Sequence, residues 1–110
     1  MLIIPANTLA AEPVTNDNGI FGYGTTGSPV SMTNLVSNAG VVATDTTGVG
    51  TARNGIAACE YGQDKGIFGF GICGFSQCSV TNLVSDAGVV ATDVTGVGLV
   101  RETPSGCSYN

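Results

Sequence analysis

Several residue groups in this 110-residue chain have types and spacings that could do chemistry. Gly22-x-Gly24-x-x-Gly27 and Gly69-x-Gly71-x-x-Gly74 match the glycine spacing of a dinucleotide-binding turn. Such a turn opens a helix whose amino terminus holds a pyrophosphate. Here Ser28-Pro29-Val30-Ser31-Met32-Thr33 follows, which reads as strand, so these glycines are expected to serve hairpins. Asp45-Thr46-Thr47-Gly48 and Asp93-Val94-Thr95-Gly96 could supply two carboxylates that share a proton and activate water. An extra residue separates each Asp from its Thr-Gly, and each Asp is better read as opening a turn by accepting from nearby backbone amides. Asn16-Asp17-Asn18-Gly19 could offer oxygens to Ca²⁺. The corresponding Gln63-Asp64-Lys65-Gly66 carries a lysine that would oppose a cation, which favours a solvated turn.

Cys73 and Cys78 supply two of the four ligands zinc wants, and the sequence has no His to complete the set. They could instead close a disulfide across a hairpin or remain thiols; both readings stay open. Cys59 and Cys107 occupy equivalent positions 48 residues apart and suit small packing roles. Tyr23 and Phe70 are equivalent, as are Arg53 and Arg101. An aromatic ring beside an arginine could bind a sugar by stacking and hydrogen bonds, so these four are the candidate ligand-binding residues. Their plainer role is packing, with each arginine anchoring a carboxylate or carbonyl. No catalytic residue, metal or cofactor is expected.

Composition narrows the choice. Lys and Arg total 3 and Asp and Glu 8, for a net charge of −5. Charged residues make up 10%, against about 25% in an ordinary soluble domain. Three scattered cations cannot make a nucleic-acid footprint. Without His, neither a serine triad nor a histidine metal site can form. The longest apolar runs are far short of the roughly 20 residues of a membrane helix. Met1-Leu2-Ile3-Ile4-Pro5 lacks the charge pattern and length of a signal peptide. Neither a nucleic-acid nor a membrane partner is expected.

The elements that must position these residues come from a repeat. Gly19-Ile20-Phe21-Gly22-Tyr23-Gly24 returns as Gly66-Ile67-Phe68-Gly69-Phe70-Gly71, an offset of 47. The stretch 33–45 returns as 81–93, an offset of 48, with Asn38 to Asp86 as its single change. A partial copy opens the chain, where Asn7-Thr8-Leu9-Ala10-Ala11 lines up with Asn54-Gly55-Ile56-Ala57-Ala58. The 110 residues read as one repeat domain, with unit one over about 6–50, unit two over about 51–98 and a tail over 99–110. No 3.6-residue apolar stripe appears, and short β-branched or aromatic runs alternate with Gly, Asn and Pro turns. The runs predict four strands per unit: 9–14, 19–24, 30–36 and 41–45, then 54–61, 65–71, 79–84 and 89–93. Val41-Val42-Ala43-Thr44 lacks alternation, as in a strand covered on both faces. Pro104 stands where Ile56 stands in the previous copy, and marks an edge or a stop.

Four strands in about 47 residues is the arithmetic of a propeller blade. Thr51-Ala52-Arg53-Asn54-Gly55-Ile56-Ala57-Ala58, followed by Gly66-Ile67-Phe68-Gly69-Phe70-Gly71, resembles a kelch-type repeat. Leu35 and Val41, then Leu83 and Val89, sit six apart where that family carries a Tyr and a Trp. The glycine pair is split here and both large aromatics are absent. The glycine-aromatic array is also similar to repeats of phage or metagenomic surface proteins, which implies a virion or extracellular setting. The resemblance implies an all-β chain of two four-stranded antiparallel propeller-like blades.

Two blades alone would leave apolar faces wet, because rings close with about four to eight. The expected partners are therefore further copies, as a homo-oligomer, or neighbouring repeats, with a glycan or protein as ligand. The expected function is a non-enzymatic module for protein interaction or surface structure. The alternative is a carbohydrate-binding lectin assembled from several chains. An enzyme with its site in the channel of a completed ring is the third class, and so few titratable groups give it little material.

Overall fold

The computed structural model describes residues 17–110, and among them every regular element is a strand. β1 (Gly19–Gly22) pairs antiparallel with β2 (Thr33–Val36). β3 (Ala57–Tyr61), β4 (Lys65–Cys73) and β5 (Ser76–Val84) form a second antiparallel sheet in the order β3-β4-β5. The fold is all-β, with two antiparallel sheets of two and three strands. The strand expected over residues 9–14 lies outside the described residues.

The two copies reproduce each other's register. Gly19↔Val36, Ile20↔Leu35, Phe21↔Asn34 and Gly22↔Thr33 return as Gly66↔Val84, Ile67↔Leu83, Phe68↔Asn82 and Gly69↔Thr81. Beyond that point the hairpins differ. In the second copy the ladder continues through Gly71↔Cys78 to Cys73↔Ser76. In the first, Pro29 has no N–H to donate, and only an isolated Thr25↔Pro29 bridge remains.

The strands expected over 41–45 and 89–93 do not form; only isolated bridges occur there, Val36↔Val42 and Thr33↔Thr46, then Val84↔Val90 and Thr81↔Val94. Each ladder is interrupted by a side chain. Asn34 Nδ2 donates to the Ala43 carbonyl (3.1 Å) and Asn82 Nδ2 to the Ala91 carbonyl (3.1 Å), where a backbone donor would otherwise sit. Coverage on both faces also does not hold: Val90 is buried while Val89 points to solvent.

Glycine is required where the chain crosses itself. A Cβ on Gly48 would run into Ser31, and one on Gly96 into the equivalent Ser79. The aromatic that follows β1, and its equivalent in β4, take a left-handed backbone: Tyr23 has φ 63° and Phe70 φ 64°. Each is followed by a glycine of positive φ, and in the second copy the β4–β5 register shifts here. Such a conformation costs about 1 kcal/mol or more for a bulky residue, and ring contacts hold it in place.

The core is small: Tyr23, Phe68, Val84 and Val90, with Ile20, Val49 and Ile56 against it. Tyr23, Ile20 and Val49 come from the first copy, and the rest from the second. The tail has no strand but follows the β3 segment at a constant offset. Thr103 N donates to Gly55 O (2.7 Å), Gly106 lies against Ala58, and Ser108 Oγ donates to Glu60 O (2.6 Å).

Candidate functional site

The polar residues that matter most lie at the joint between the two copies, and Arg53 is at its centre. It reaches that place because its backbone is pinned into the first hairpin: Gly24 N donates to Arg53 O (3.0 Å) and Arg53 N to Val30 O (3.3 Å). Its guanidinium carbon sits 4.5 Å from the centre of the Tyr23 ring. Tyr23 in turn meets Phe68 edge to face, with centroids 5.2 Å apart, and its hydroxyl donates to Val49 O at 2.9 Å.

Every nitrogen of the Arg53 guanidinium has a partner. Nε donates to Phe70 O (2.9 Å), Nη1 to Thr51 O (3.0 Å) and Nη2 to Asn82 Oδ1 (2.6 Å). Asn82 passes the connection on, donating from Nδ2 to Asp93 Oδ1 at 2.9 Å. Asp93 accepts from the Thr51 amide and, at 2.6 Å, from its hydroxyl. Arg53 and Asn82 are fully buried. The arrangement neutralises a buried cation through a relay, since its charge reaches Asp93 across the Asn82 amide and the Thr51 donors.

The titration of two groups follows from this setting. Partial burial works to raise the Asp93 carboxyl, but hydrogen bonds from Thr51 and Asn82, with the Arg53 charge nearby, hold it below the usual carboxylate range. Burial pushes the Tyr23 hydroxyl above the ordinary phenol value, although the Arg53 charge and hydrogen bonding oppose it.

The four ligand-binding candidates are brought together as two pairs. Arg53 stacks on Tyr23, and Arg101 stacks on Phe70 with its guanidinium carbon 4.0 Å from the ring centre. The pairs differ in access. Tyr23 and Arg53 are buried, so no ring face or guanidinium edge there is open to a sugar. Phe70 is half-buried and Arg101 exposed. The Asn34/Asn82 position was not among the candidates. Its signal was an asparagine inside a strand, in both copies, eleven residues before an aspartate.

The remaining motifs take structural places. Gly24, Gly27, Gly71 and Gly74 all have positive φ and serve hairpins, with no helix after them. Asp45 and Asp93 bind asparagine side chains of neighbouring strands rather than backbone amides two residues on. Asp64 pairs with Lys65 at 2.9 Å, and that carboxylate holds the Lys65 ammonium up. Cys73 and Cys78 form a disulfide across the β4–β5 hairpin, with Cα atoms 5.9 Å apart, while Cys59 and Cys107 are thiols. Among the described residues, no three His, Cys, Asp or Glu side chains gather as a metal site would need. An open cleft of about 870 Å³ is lined by residues of both copies, among them Leu35 and Val36 of the first and Ile67 and Phe68 of the second. Asp64, Lys65 and Asp86 also line it. No family model matches the chain, and no curated protein matches it either.

Proposed function

We propose that this chain is a non-enzymatic repeat module that acts by binding protein, completed by further copies of its own unit. The observation that carries the reading is where the core lies. Tyr23 of one copy and Phe68, Val84 and Val90 of the other bury each other, so a unit gains its core from its neighbour. Such proteins owe their stability to nearest-neighbour contacts, and their end units need covering.

In this reading each unit is a four-stranded kelch-like blade. The bridges at Val90 and Val94, which place residues 89–94 beside β5, support that count. The non-enzymatic character is supported by the lack of His and by carboxylates engaged in structural hydrogen bonds. The Cys73–Cys78 disulfide supports an oxidising, extracellular or virion setting. The lectin reading keeps one supporting observation, the stacked and accessible Phe70–Arg101 pair.

Light scattering across a concentration series, with a glycan array alongside, tests the proposal. The expected result is a mass at a multiple of 11.0 kDa and a blank array. An assembly that binds sugars on the array would replace the module with the lectin, and a chain that stays monomeric at every concentration would remove both.

A further inference from the structure

The two copies share one register over β1–β2 and the matching part of β4–β5, yet the exposures of their equivalent residues differ in an ordered way. Phe68 is 4% exposed and its equivalent Phe21 64%. Val90 is 8% exposed and its equivalent Val42 52%. Asn82 is fully buried, whereas Asn34 is only half-buried. These residues make the face of a unit that receives its predecessor, and unit one presents that face bare. At the other end the contrast reverses. Val49 packs against the core, and its equivalent Val97 is 84% exposed. Arg53 is enclosed, and Arg101 lies in solvent.

The exposed end is already shaped for insertion. Arg101 N donates to Cys78 O (3.4 Å) and Gly71 N to Arg101 O (3.0 Å), as Arg53 N does to Val30 O and Gly24 N to Arg53 O at the first hairpin. Arg101 Nη1 donates to Leu99 O (3.1 Å), matching Arg53 Nη1 on Thr51 O, and the ring stack is formed. What it lacks is the half supplied by the next unit, an acceptor carbonyl for Nε and an asparagine oxygen for Nη2. Gly98 repeats the logic. Gly50 has φ 81° and no room for a Cβ, which would meet Asn82 Nδ2 at 2.6 Å and press into Asp93. Gly98 has φ 92° and nothing within 4 Å of where a Cβ would stand. A residue shaped for close approach therefore faces an empty place.

We propose that a second copy of this chain fills that place, its Asn34–Asp45 face receiving residues 97–101 of the first copy, head to tail. This rests on the reading of the chain as a self-completing repeat module. Asn34 and Asp45 are already set as Asn82 and Asp93 are, with Nδ2 donating to Asp45 Oδ1 at 2.7 Å and to Ala43 O. Arg101 then donates from Nη2 to Asn34 Oδ1 and from Nε to the Tyr23 carbonyl of the second copy, while the Leu99 amide meets Asp45. Leu99 has no hydroxyl to repeat the Thr51 bond, so this joint is weaker than the internal one by one donor. Residues Leu2-Ile3-Ile4-Pro5-Ala6, which align with residues 49–53, carry neither the glycine nor the arginine that the joint uses. The interface is heterologous, so it builds a ring if the rotation closes and a filament if it does not.

Two single-face variants test it. Val42→Glu spoils the receiving face and Arg101→Glu the inserting face, and circular dichroism checks that each is folded. In sedimentation and light scattering the wild type is expected to assemble beyond a dimer. Each variant alone should bind at least about tenfold more weakly, because a charge-assisted contact or an apolar one is lost. Mixed in equal amounts they should form a species of two chains and stop there, since one intact face of each kind remains. Variants that assemble as the wild type does, or a mixture that stays monomeric while the wild type assembles, would overturn this surface and leave the module reading standing. A wild type that is monomeric at every concentration removes both.

Discussion

Replacing Asn82 by Ala should cost far more than the same change at Asn34, although the two asparagines sit at one repeat position. Asn82 accepts from the buried Arg53 guanidinium at 2.6 Å and donates to the Asp93 carboxylate at 2.9 Å. Both bonds are charge-assisted, a class worth about 1.5–3 kcal/mol each, and the neutral bond to Ala91 O adds about 1 kcal/mol. These terms belong to one network and do not add in full. A loss of about 4 kcal/mol allows for that, and it includes the cost of leaving Arg53 enclosed without its Nη2 acceptor. Asn34 bonds only to Asp45 and Ala43, both near solvent, and its loss should cost about 1 kcal/mol.

The assay is urea unfolding and thermal melting by circular dichroism. It is best run on the Arg101→Glu background, so that self-association does not enter the measured stability. At about 5 °C per kcal/mol for a domain of this size, Asn82→Ala should lower Tm by about 20 °C and Asn34→Ala by about 5 °C. Total stabilities of about 5–15 kcal/mol leave little margin. If Asn82→Ala is unfolded in buffer, both variants are read with added osmolyte, which strengthens effective burial. Equal shifts within about 1 kcal/mol would refute the reasoning, because the joint would then add nothing that a lone unit lacks.

Four further outcomes follow from the same geometry. Val90→Asp places an unpaired charge in the core and should unfold the protein, losing its circular dichroism, while on the non-assembling Arg101→Glu background Val42→Asp should melt within a few degrees of its parent. Gly50→Ala and Gly98→Ala share a positive-φ penalty of about 1 kcal/mol, but only Gly50→Ala also displaces Asn82 and Asp93, so its unfolding free energy from a urea titration should fall by about 2 kcal/mol more. Asp93 has a lowered folded pKa, so its contribution is present above the unfolded value of 3.8 and disappears as pH falls through the folded one; Asp93→Asn should flatten the acid limb of a stability–pH curve. Reducing Cys73–Cys78 should cost about 2 kcal/mol at most, the chain-entropy value for so short a loop, and a melt with and without reductant measures it.

Much of the fold was legible because the chain writes its unit twice. The 47- and 48-residue offsets fixed which residues share a register position, and hence that Tyr23 belongs with Phe70 and Arg53 with Arg101. The hairpin β4–β5 followed from β-branched and aromatic runs broken by glycine. What stayed hidden depended on side chains that replace backbone. An apolar run such as Val89-Val90-Ala91 signals a strand, but nothing in it says that an asparagine amide takes over a ladder bond and leaves only bridges at Val90 and Val94. The expected anchoring of a carbonyl by each arginine gives no sign that one of the two is fully buried, since charge seldom is. Arg53 is nonetheless enclosed, between the aromatic face of Tyr23 from the first copy and three acceptors from the second, a combination that no local spacing encodes.

Arg53 and Arg101 together separate what a unit builds alone from what it borrows. The ring stack, the Nη1 bond to the carbonyl two residues earlier and the backbone pairing into the hairpin occur at both arginines. These contacts tie a hairpin to the arginine segment that follows it, and they form whether or not a further hairpin comes after. The Nε and Nη2 bonds and the closed apolar contact occur only at Arg53, where a second unit follows. In a stacked array the first set belongs to the unit's own stability and the second to the interface between neighbours. Among the described residues Arg53 is enclosed and Arg101 exposed, so in the proposed assembly each added unit would cover one such arginine while presenting another. Only closure of the stack, or an end unit without the arginine, stops that process. That is why the proposal gives residues 97–101 a face like that of Asn34 and Asp45 as its partner, and not an unrelated surface.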